Sequence, residues 1–264
     1  FFSIMSFKNK KSLGQNFLID QNILKKIVDI GKITKNDKIL EIGPGSGNLT
    51  KFIVDSNPEY IMVVEKDNKL IKILEDKFKN KIKIFHDDIL KLNDDFYHDE
   101  FLIFGNLPYN ISTQILARWC LSNHIKFKKL ILMFQKEVAD RIIADVNTKE
   151  YSRITILANW KFDIKKIFDV NPESFFPKPK VKSTVLEFIP KDNFIEIKNP
   201  KNLEKITKIF FNQRRKMIKK SFVKLFKNYD LIAKKINIKL TDRPQKISTN
   251  KFLMIIKEYE NSLN

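Results

Sequence analysis

Lys38-Ile39-Leu40-Glu41-Ile42-Gly43-Pro44-Gly45-Ser46-Gly47-Asn48-Leu49-Thr50 changes its period within a few residues, from an apolar strand through a glycine-rich turn into a helix. The helix continues through Phe52, Ile53 and Val54 at helical spacing. Glycine supplies positive φ and lets the backbone approach a ligand that a Cβ would hold off. A second strand, residues 60–64, ends at Glu65, 22 positions beyond Gly43. An acid at about that distance accepts hydrogen bonds from ribose hydroxyls in nucleotide-type sites. The pattern is Gly-x-Gly-x-Gly and not the dinucleotide form, which favours an adenosyl ligand without phosphates over a pyrophosphate. A tight β-to-α turn with no ligand is the plainer alternative.

Strands and helices alternate on both sides of this stretch. Residues 21–33 keep helical spacing through Ile23, Leu24, Ile27, Val28 and Ile30, with Gly31 as a stop. A third strand, residues 82–85, runs into Asp87-Asp88-Ile89. Asp88 there either accepts from an adenine amine or caps a helix, and spacing leaves both open. The apolar run Phe101-Leu102-Ile103-Phe104-Gly105 is stopped by Asn106-Leu107-Pro108-Tyr109. That places Asn106 and the Tyr109 ring at a strand's carboxyl end, where open α/β sheets bind ligands. Ser112 or Thr113 is expected to cap the next helix, with Ile115, Leu116 and Trp119 on it; a strand over 130–134 then leads into a helix through Arg141. Residues 151–160 read as a further strand or buried segment, and 183–189 as the last strand of the domain. The alternation defines an α/β fold.

From about Pro190 the period becomes helical. Residues 191–264 carry 19 Lys and Arg against 7 Asp and Glu, so this smaller part holds +12 of the chain's +19. The densest stretch, Asn212-Gln213-Arg214-Arg215-Lys216-Met217-Ile218-Lys219-Lys220, is expected on a helix whose other face is Ile209, Phe210, Met217 and Phe222. Such a charge balance points to a polyanion as partner, the alternative being a Lys-rich proteome. Two further segments carry charge. Residues 8–18 form a basic arm that includes Lys10 and Lys11, and residues 171–181 are a Pro-rich loop placing Phe175 and Phe176 beside Lys178 and Lys180. Aromatics beside cations suit base stacking and phosphate contact, or else a hydrophobic anchor that pins the loop.

The apolar content of 43% argues against wholesale disorder. One cysteine, Cys120, excludes an internal disulfide framework and fits a reducing compartment. His86, His98 and His124 lack metal-ligand spacing, so no metal is expected. No apolar run reaches membrane-spanning length, and residues 1–5 lack the layout of a signal peptide. Met5 or an upstream residue is the expected native start.

Asn-Leu-Pro-Tyr resembles the motif IV of enzymes that methylate exocyclic amines of nucleobases. Taken with Leu13-Gly14-Gln15-Asn16-Phe17-Leu18, Glu41-Ile42-Gly43-Pro44-Gly45, Glu65, Asp88, Gln135-Lys136-Glu137-Val138, Phe175-Phe176-Pro177-Lys178-Pro179-Lys180-Val181 and Phe211-Asn212-Gln213-Arg214-Arg215-Lys216, it makes the chain resemble the KsgA family of ribosomal RNA adenine dimethyltransferases over nearly its whole length. The wording is that of the bacterial and organellar branch. The resemblance implies a Rossmann-like class I S-adenosylmethionine-dependent methyltransferase sheet over residues 1–190, with a small basic α-helical RNA-binding domain over 191–264. It implies S-adenosylmethionine as cofactor, held by Asn16, Leu18, Gly43, Glu65, Asp88 and Asn106. Catalysis falls to Asn106 and the Leu107 carbonyl, with stacking by Tyr109 and Phe175, the ring favoured over Phe176. RNA contacts fall to Lys10, Lys11, Lys178, Lys180, Arg214, Arg215, Lys216, Lys219 and Lys220.

The expected reaction is dimethylation of two adjacent adenines near the 3′ end of small-subunit (16S) ribosomal RNA during subunit biogenesis. The expected partner is the small ribosomal subunit, with no membrane and no metal, and the enzyme a monomer in the bacterial cytoplasm or, for a eukaryotic gene, an organellar matrix or stroma. Methylation of large-subunit RNA or of DNA is opposed by the Gly14-to-Leu18 and Phe211-to-Lys216 wording. A non-catalytic assembly or transcription factor is opposed by intact Glu65, Asp88 and Asn106-to-Tyr109. Charge reversal at Arg214 and Arg215 is expected to weaken RNA binding and flatten its salt dependence. An unchanged slope of binding against salt would make that segment an ordinary solvated surface.

Overall fold

The structure is a computed structural model that describes residues 16–263. A two-residue strand β1 (Phe17–Leu18) precedes helix α1 (Gln21–Gly31), which starts where the Asp20 side chain accepts the N–H groups of Asn22 and Ile23. Four strand and helix units follow: β2 (Lys38–Ile42), α2 (Asn48–Asp55), β3 (Tyr60–Glu65), α3 (Asn68–Phe78), β4 (Lys83–His86), β5 (Phe101–Asn106) and α4 (Ser112–Leu121). Beyond them lie β6 (Phe127–Gln135), α5 (Lys136–Ile142), α6 (Arg153–Lys161), β7 (Phe162–Val170), β8 (Phe175–Phe176) and β9 (Ser183–Pro190).

The strands form a seven-stranded sheet of order β4-β3-β2-β5-β6-β9-β7. β2, β3, β4, β5 and β6 run parallel to their neighbours, whereas β9 is antiparallel to β6. Strands buried on both faces read as continuous apolar runs, and Ile39, Leu40, Val63, Leu102, Ile103 and Phe104 are all buried. The register sets Ile42 beside Val64 on one side and Gly105 on the other. Every chain reversal that follows β2, β3 or β5 therefore emerges at one edge of the sheet. β1 pairs separately with β8, Leu18 opposite Phe175.

The chain divides into two compact units. Among the described residues, the first contains 16–115, 124–139 and 164–190; the second contains 116–123, 140–163 and 191–263. The change of period after Pro190 falls on one of these seams, but the second unit also draws in two earlier segments. Its own helices are α7 (Pro200–Phe211), α8 (Lys219–Leu225), α9 (Tyr229–Lys235) and α10 (Thr249–Asn261), together with α6. Phe210 is the centre of their core, edge-on to both Phe222 and Phe252.

Of the two readings for residues 151–160, a strand or a buried segment, the second holds: residues 153–161 form α6, in which Thr155, Ile156, Leu157, Ala158 and Trp160 are all buried, so it shows no 3.6-residue stripe. The strand that the pattern missed, β7, reads Phe-Asp-Ile-Lys-Lys-Ile-Phe-Asp-Val, with its alternation interrupted by two adjacent lysines. The basic stretch 212–220, expected on one helix, is broken: residues 212–218 connect α7 to α8, and only Lys219 and Lys220 are helical, at the start of α8. The Ile218 and Lys219 N–H groups donate to the carbonyls of Asp242 and Leu240, which holds that segment out of helical continuation. Ile218 is accordingly buried, and Met217 is 60% exposed.

Within the second unit, Glu260 is buried and accepts the backbone N–H groups of Lys198 and Asn199 and the Asn202 amide, each at 2.9 Å. Burial works to raise its pKa, yet these donors together leave it below the ordinary glutamate value. A depressed carboxyl stabilises the fold above its unfolded pKa and loses that contribution as pH falls through the folded one. Glu260→Ala is expected to cost about 1–3 kcal/mol near neutral pH. Thermal unfolding of variant and wild type should show that difference shrink as the pH is taken below 4.

Candidate active site

Parallel register makes the site. Gly43 follows β2, Glu65 ends β3, Asp87 and Asp88 follow β4, and Asn106 ends β5, all at one edge of the first unit. A cavity of about 240 Å³ opens there. Asn16, Leu18, Gly43, Glu65, Asp88, Asn106, Leu107 and Tyr109, eight of the expected site residues, line it.

The glycine turn forms one wall. Gly43 has φ +65°, and a Cβ there would meet nothing nearer than Pro108 Cδ at 3.9 Å, so the backbone faces open space. Gly45, at φ +59°, has no such room, since a Cβ would lie 2.8 Å from the Phe17 ring. Lys77 braces the turn from outside by donating to the Ser46 carbonyl at 3.1 Å. Beneath it, the buried Glu41 carboxyl accepts from Thr50 Oγ1 at 2.7 Å. Desolvation pushes the Glu41 pKa up to about 8, so the carboxyl is protonated at neutral pH.

Glu65 is held by backbone. One oxygen accepts the N–H groups of Lys66 and Asp67 at 2.8 and 2.9 Å, and the other accepts from Gly45 at 3.3 Å. Burial raises its pKa while those three donors pull it back. Asp88 opens a turn and not a helix: it accepts from the Leu90 N–H at 3.0 Å and meets Lys66 Nζ at 2.8 Å. The lysine bond holds its carboxyl below the usual aspartate range.

Asn106 donates its side-chain amide to the Asn16 carbonyl at 2.9 Å. A carbonyl can only accept, so the amide nitrogen must face Asn16 and Oδ1 is presented on the other side. The turn that follows folds into α4, with the Pro108 carbonyl accepting from Ile111 and Ser112. Ser112 is the first residue of that helix, and its hydroxyl donates back to the Tyr109 carbonyl at 3.3 Å. The Tyr109 hydroxyl lies 2.6 Å from Ser183 Oγ.

Phe175 is not brought to the cavity. It is 3% exposed and packs in the core cluster with Leu18 and Val185, which makes it the anchor of its loop in this structure. Lys178 pairs with Glu173, and Lys180 is exposed. Lys10 and Lys11 lie outside the described residues. In the second unit Arg215, Lys216, Lys219 and Lys220 are exposed, whereas Arg214 is half-buried and donates to the Lys149 carbonyl at 2.6 Å. The sequence reading assigned no role to Thr50, Lys66, Lys77 or Ser183. Single polar residues outside a glycine or strand-end motif carry no local signal, and only the fold brings them to the site.

A glycine wall open to a ligand, an acid at the end of the next strand and a second acid beyond it suit an adenosyl group, and among the described residues the cation that lines the cavity, Lys66, is paired with Asp88. Fold and cavity thus define a class I S-adenosylmethionine-dependent methyltransferase. The signature of the family described as ribosomal RNA adenine dimethylase matches residues 6–261, and the chain belongs to that family. It is 53% identical to the ribosomal RNA small subunit methyltransferase A of Pelagibacter ubique (strain HTCC1062), over 97% of this chain and 98% of the relative. The protein of the same name from Wolbachia pipientis subsp. Culex pipiens (strain wPip) is 37% identical over 94% of this chain and 95% of its own. Among solved structures, a dimethyladenosine transferase from Plasmodium falciparum superposes with TM-score 0.77 at 26% identity, covering 93% of this chain and 98% of that one. The 23S ribosomal RNA methyltransferase ErmE shares the fold, with TM-score 0.69 at 21% identity over 92% of this chain and 99% of its own.

Glu41 yields a pH test. A carboxyl whose folded pKa is raised stabilises the fold below its unfolded pKa, and that contribution is lost as pH rises through the folded value. Glu41→Gln, which keeps the neutral hydrogen-bonding form at all pH, is expected to unfold at a higher temperature than wild type by a margin that grows from pH 5 to pH 8. A constant margin in thermal unfolding would show that Glu41 is ionised throughout.

Proposed function

We propose that this enzyme dimethylates the exocyclic amines of two adjacent adenines near the 3′ end of small-subunit ribosomal RNA, as a step in small-subunit assembly. The observation that carries the reading is the orientation of Asn106, whose amide nitrogen is committed to Asn16 while its oxygen is presented at the end of β5. Family membership supports the substrate, and the names of the bacterial relatives support the small subunit and a cytoplasmic place of action.

The adenine amine is a poor nucleophile because its lone pair is delocalised into the ring. Two acceptors on its hydrogens, Asn106 Oδ1 and the Leu107 carbonyl, favour a pyramidal nitrogen and stabilise the positive charge that grows on it. S-adenosylmethionine supplies an activated methyl on its sulfonium. In the proposed site Glu65 accepts from the ribose hydroxyls, Asp88 accepts from the cofactor's adenine amine, and Asn16, Leu18 and Gly43 close around it through backbone and side chain. In each of the two transfers to one amine the nitrogen would bond the methyl carbon as the carbon–sulfur bond breaks, with S-adenosylhomocysteine as the leaving group and the proton passing to solvent, and positioning does most of the remaining work. Tyr109 lines the cavity beside Asn106 and stacks on the flipped base, a contact worth about 1–3 kcal/mol. Phe175 would have to leave the core to share it. The exposed Lys178, Lys180, Arg215, Lys216, Lys219 and Lys220 contact phosphates, with Lys10, Lys11 and Arg214 as further candidates.

The test is transfer of labelled methyl to undermethylated small subunits, beside large subunits and DNA as controls. Asn106→Ala is expected to keep cofactor affinity within a few fold by calorimetry and to abolish transfer. Loss of cofactor binding would make Asn106 a structural residue, and no label on small subunits would overturn the proposed substrate.

A further inference from the structure

Tyr109 stands on a turn. β5 ends at Asn106 and α4 begins at Ser112, so neither element orients the ring directly. The far end of the side chain is held instead, by the 2.6 Å contact between its hydroxyl and Ser183 Oγ. Ser183 is fully buried and does not line the cavity, so it cannot touch a ligand there. It is the first residue of β9, fixed opposite Gln135 by the antiparallel ladder with β6, and β6 in turn pairs Met133 with Asn106. The Lys182 carbonyl just before it accepts from the Lys136 N–H at 2.9 Å. The hydroxyl partner of Tyr109 is thus mounted on the same sheet that positions Asn106.

We propose that Ser183 is a positioning residue for methyl transfer: through the hydroxyl pair it sets the tilt of the Tyr109 ring against the target base, and it ties that ring to the loop 171–182. This inference rests on the stacking role given to Tyr109 above. The Tyr hydroxyl lies on the Cβ–Cγ axis of the side chain, so a contact at that oxygen fixes where the axis points, through rotation about Cα–Cβ, and with it where the ring sits. Burial holds the phenol above its ordinary pKa against the pull of Ser183, so the pair is neutral and its hold does not vary across the neutral range. Because β9 starts directly after the Pro-rich loop, movement of that loop on RNA binding is transmitted to the ring through one hydrogen bond.

The experiment is a double-mutant cycle. Ser183→Ala, Tyr109→Phe and the double variant are compared in kcat/KM for methylation of undermethylated small subunits and in cofactor affinity by calorimetry. Each single variant is expected to lose about five- to tenfold in kcat/KM, the double no more than the worse single, with cofactor affinity unchanged within twofold. Losses that multiply in the double, no loss in Ser183→Ala, or an equal fall in cofactor affinity would overturn the inference. Should Ser183→Ala not fold, the cycle is run with Ser183→Cys. A readout independent of substrate separates this inference from the function: in labelled-tyrosine NMR the couplings that report rotation about the Tyr109 Cα–Cβ bond are expected to show one rotamer in wild type and averaging in the Ser183 variant. Equal couplings would refute the hold on the ring, whereas small subunits left unmethylated by wild type would refute the proposed function alone.

Discussion

The parallel register of β2 with its two neighbours is the constraint on which the site depends. It sets Ile42 level with Val64 and Gly105, so the next residues of three separate strands, Gly43, Glu65 and Asn106, arrive at one edge. A slip of one residue in any of these ladders would turn every buried side chain to the opposite face and carry one member of the trio away from the others. The core that resists such a slip is made of the same strands, among them Ile39, Val63, Leu102 and Phe104. Stability and site geometry are therefore enforced by the same packing.

Desolvation is the second feature that the site exploits. Glu41 and Glu65 sit on adjacent strands and are both buried, yet their fates differ. Glu41 meets one hydroxyl and takes up a proton, whereas Glu65 receives three backbone N–H groups that favour its charged form. One acid thus supports the glycine turn as a neutral group while its neighbour offers acceptor oxygens at the cavity. Asn106 adds a neutral polar group whose direction is settled by a single backbone carbonyl, that of Asn16. Neutrality matters at this point, since an acceptor can draw out charge on an amine without removing its proton in the ground state.

Much of this is legible in the sequence because it is written in local patterns. The turn at Gly43 to Gly47, the acid at Glu65 and the strand end at Asn106 each announce themselves by spacing, and parallel α/β topology brings strand ends together without further information. The failures share one physical cause. α6 has no exposed residue and so lost its period, and the break between α7 and α8 is pinned at Ile218 and Lys219 by backbone bonds to Asp242 and Leu240, contacts that no local pattern records. Ser183 and the buried setting of Phe175 are likewise tertiary facts: one depends on where β9 pairs, the other on the short ladder of β8 with β1.

The central claim is that Asn106 offers its oxygen, and not its nitrogen, to the amine of an adenine. A crystal structure of the enzyme with S-adenosylhomocysteine and an adenosine-containing RNA tests it directly. The account predicts the exocyclic nitrogen within hydrogen-bonding distance of Asn106 Oδ1 and the Leu107 carbonyl, with Asn106 Nδ2 still on the Asn16 carbonyl. An amine bound elsewhere, or an Asn106 side chain turned so that its nitrogen faces the base, would contradict it.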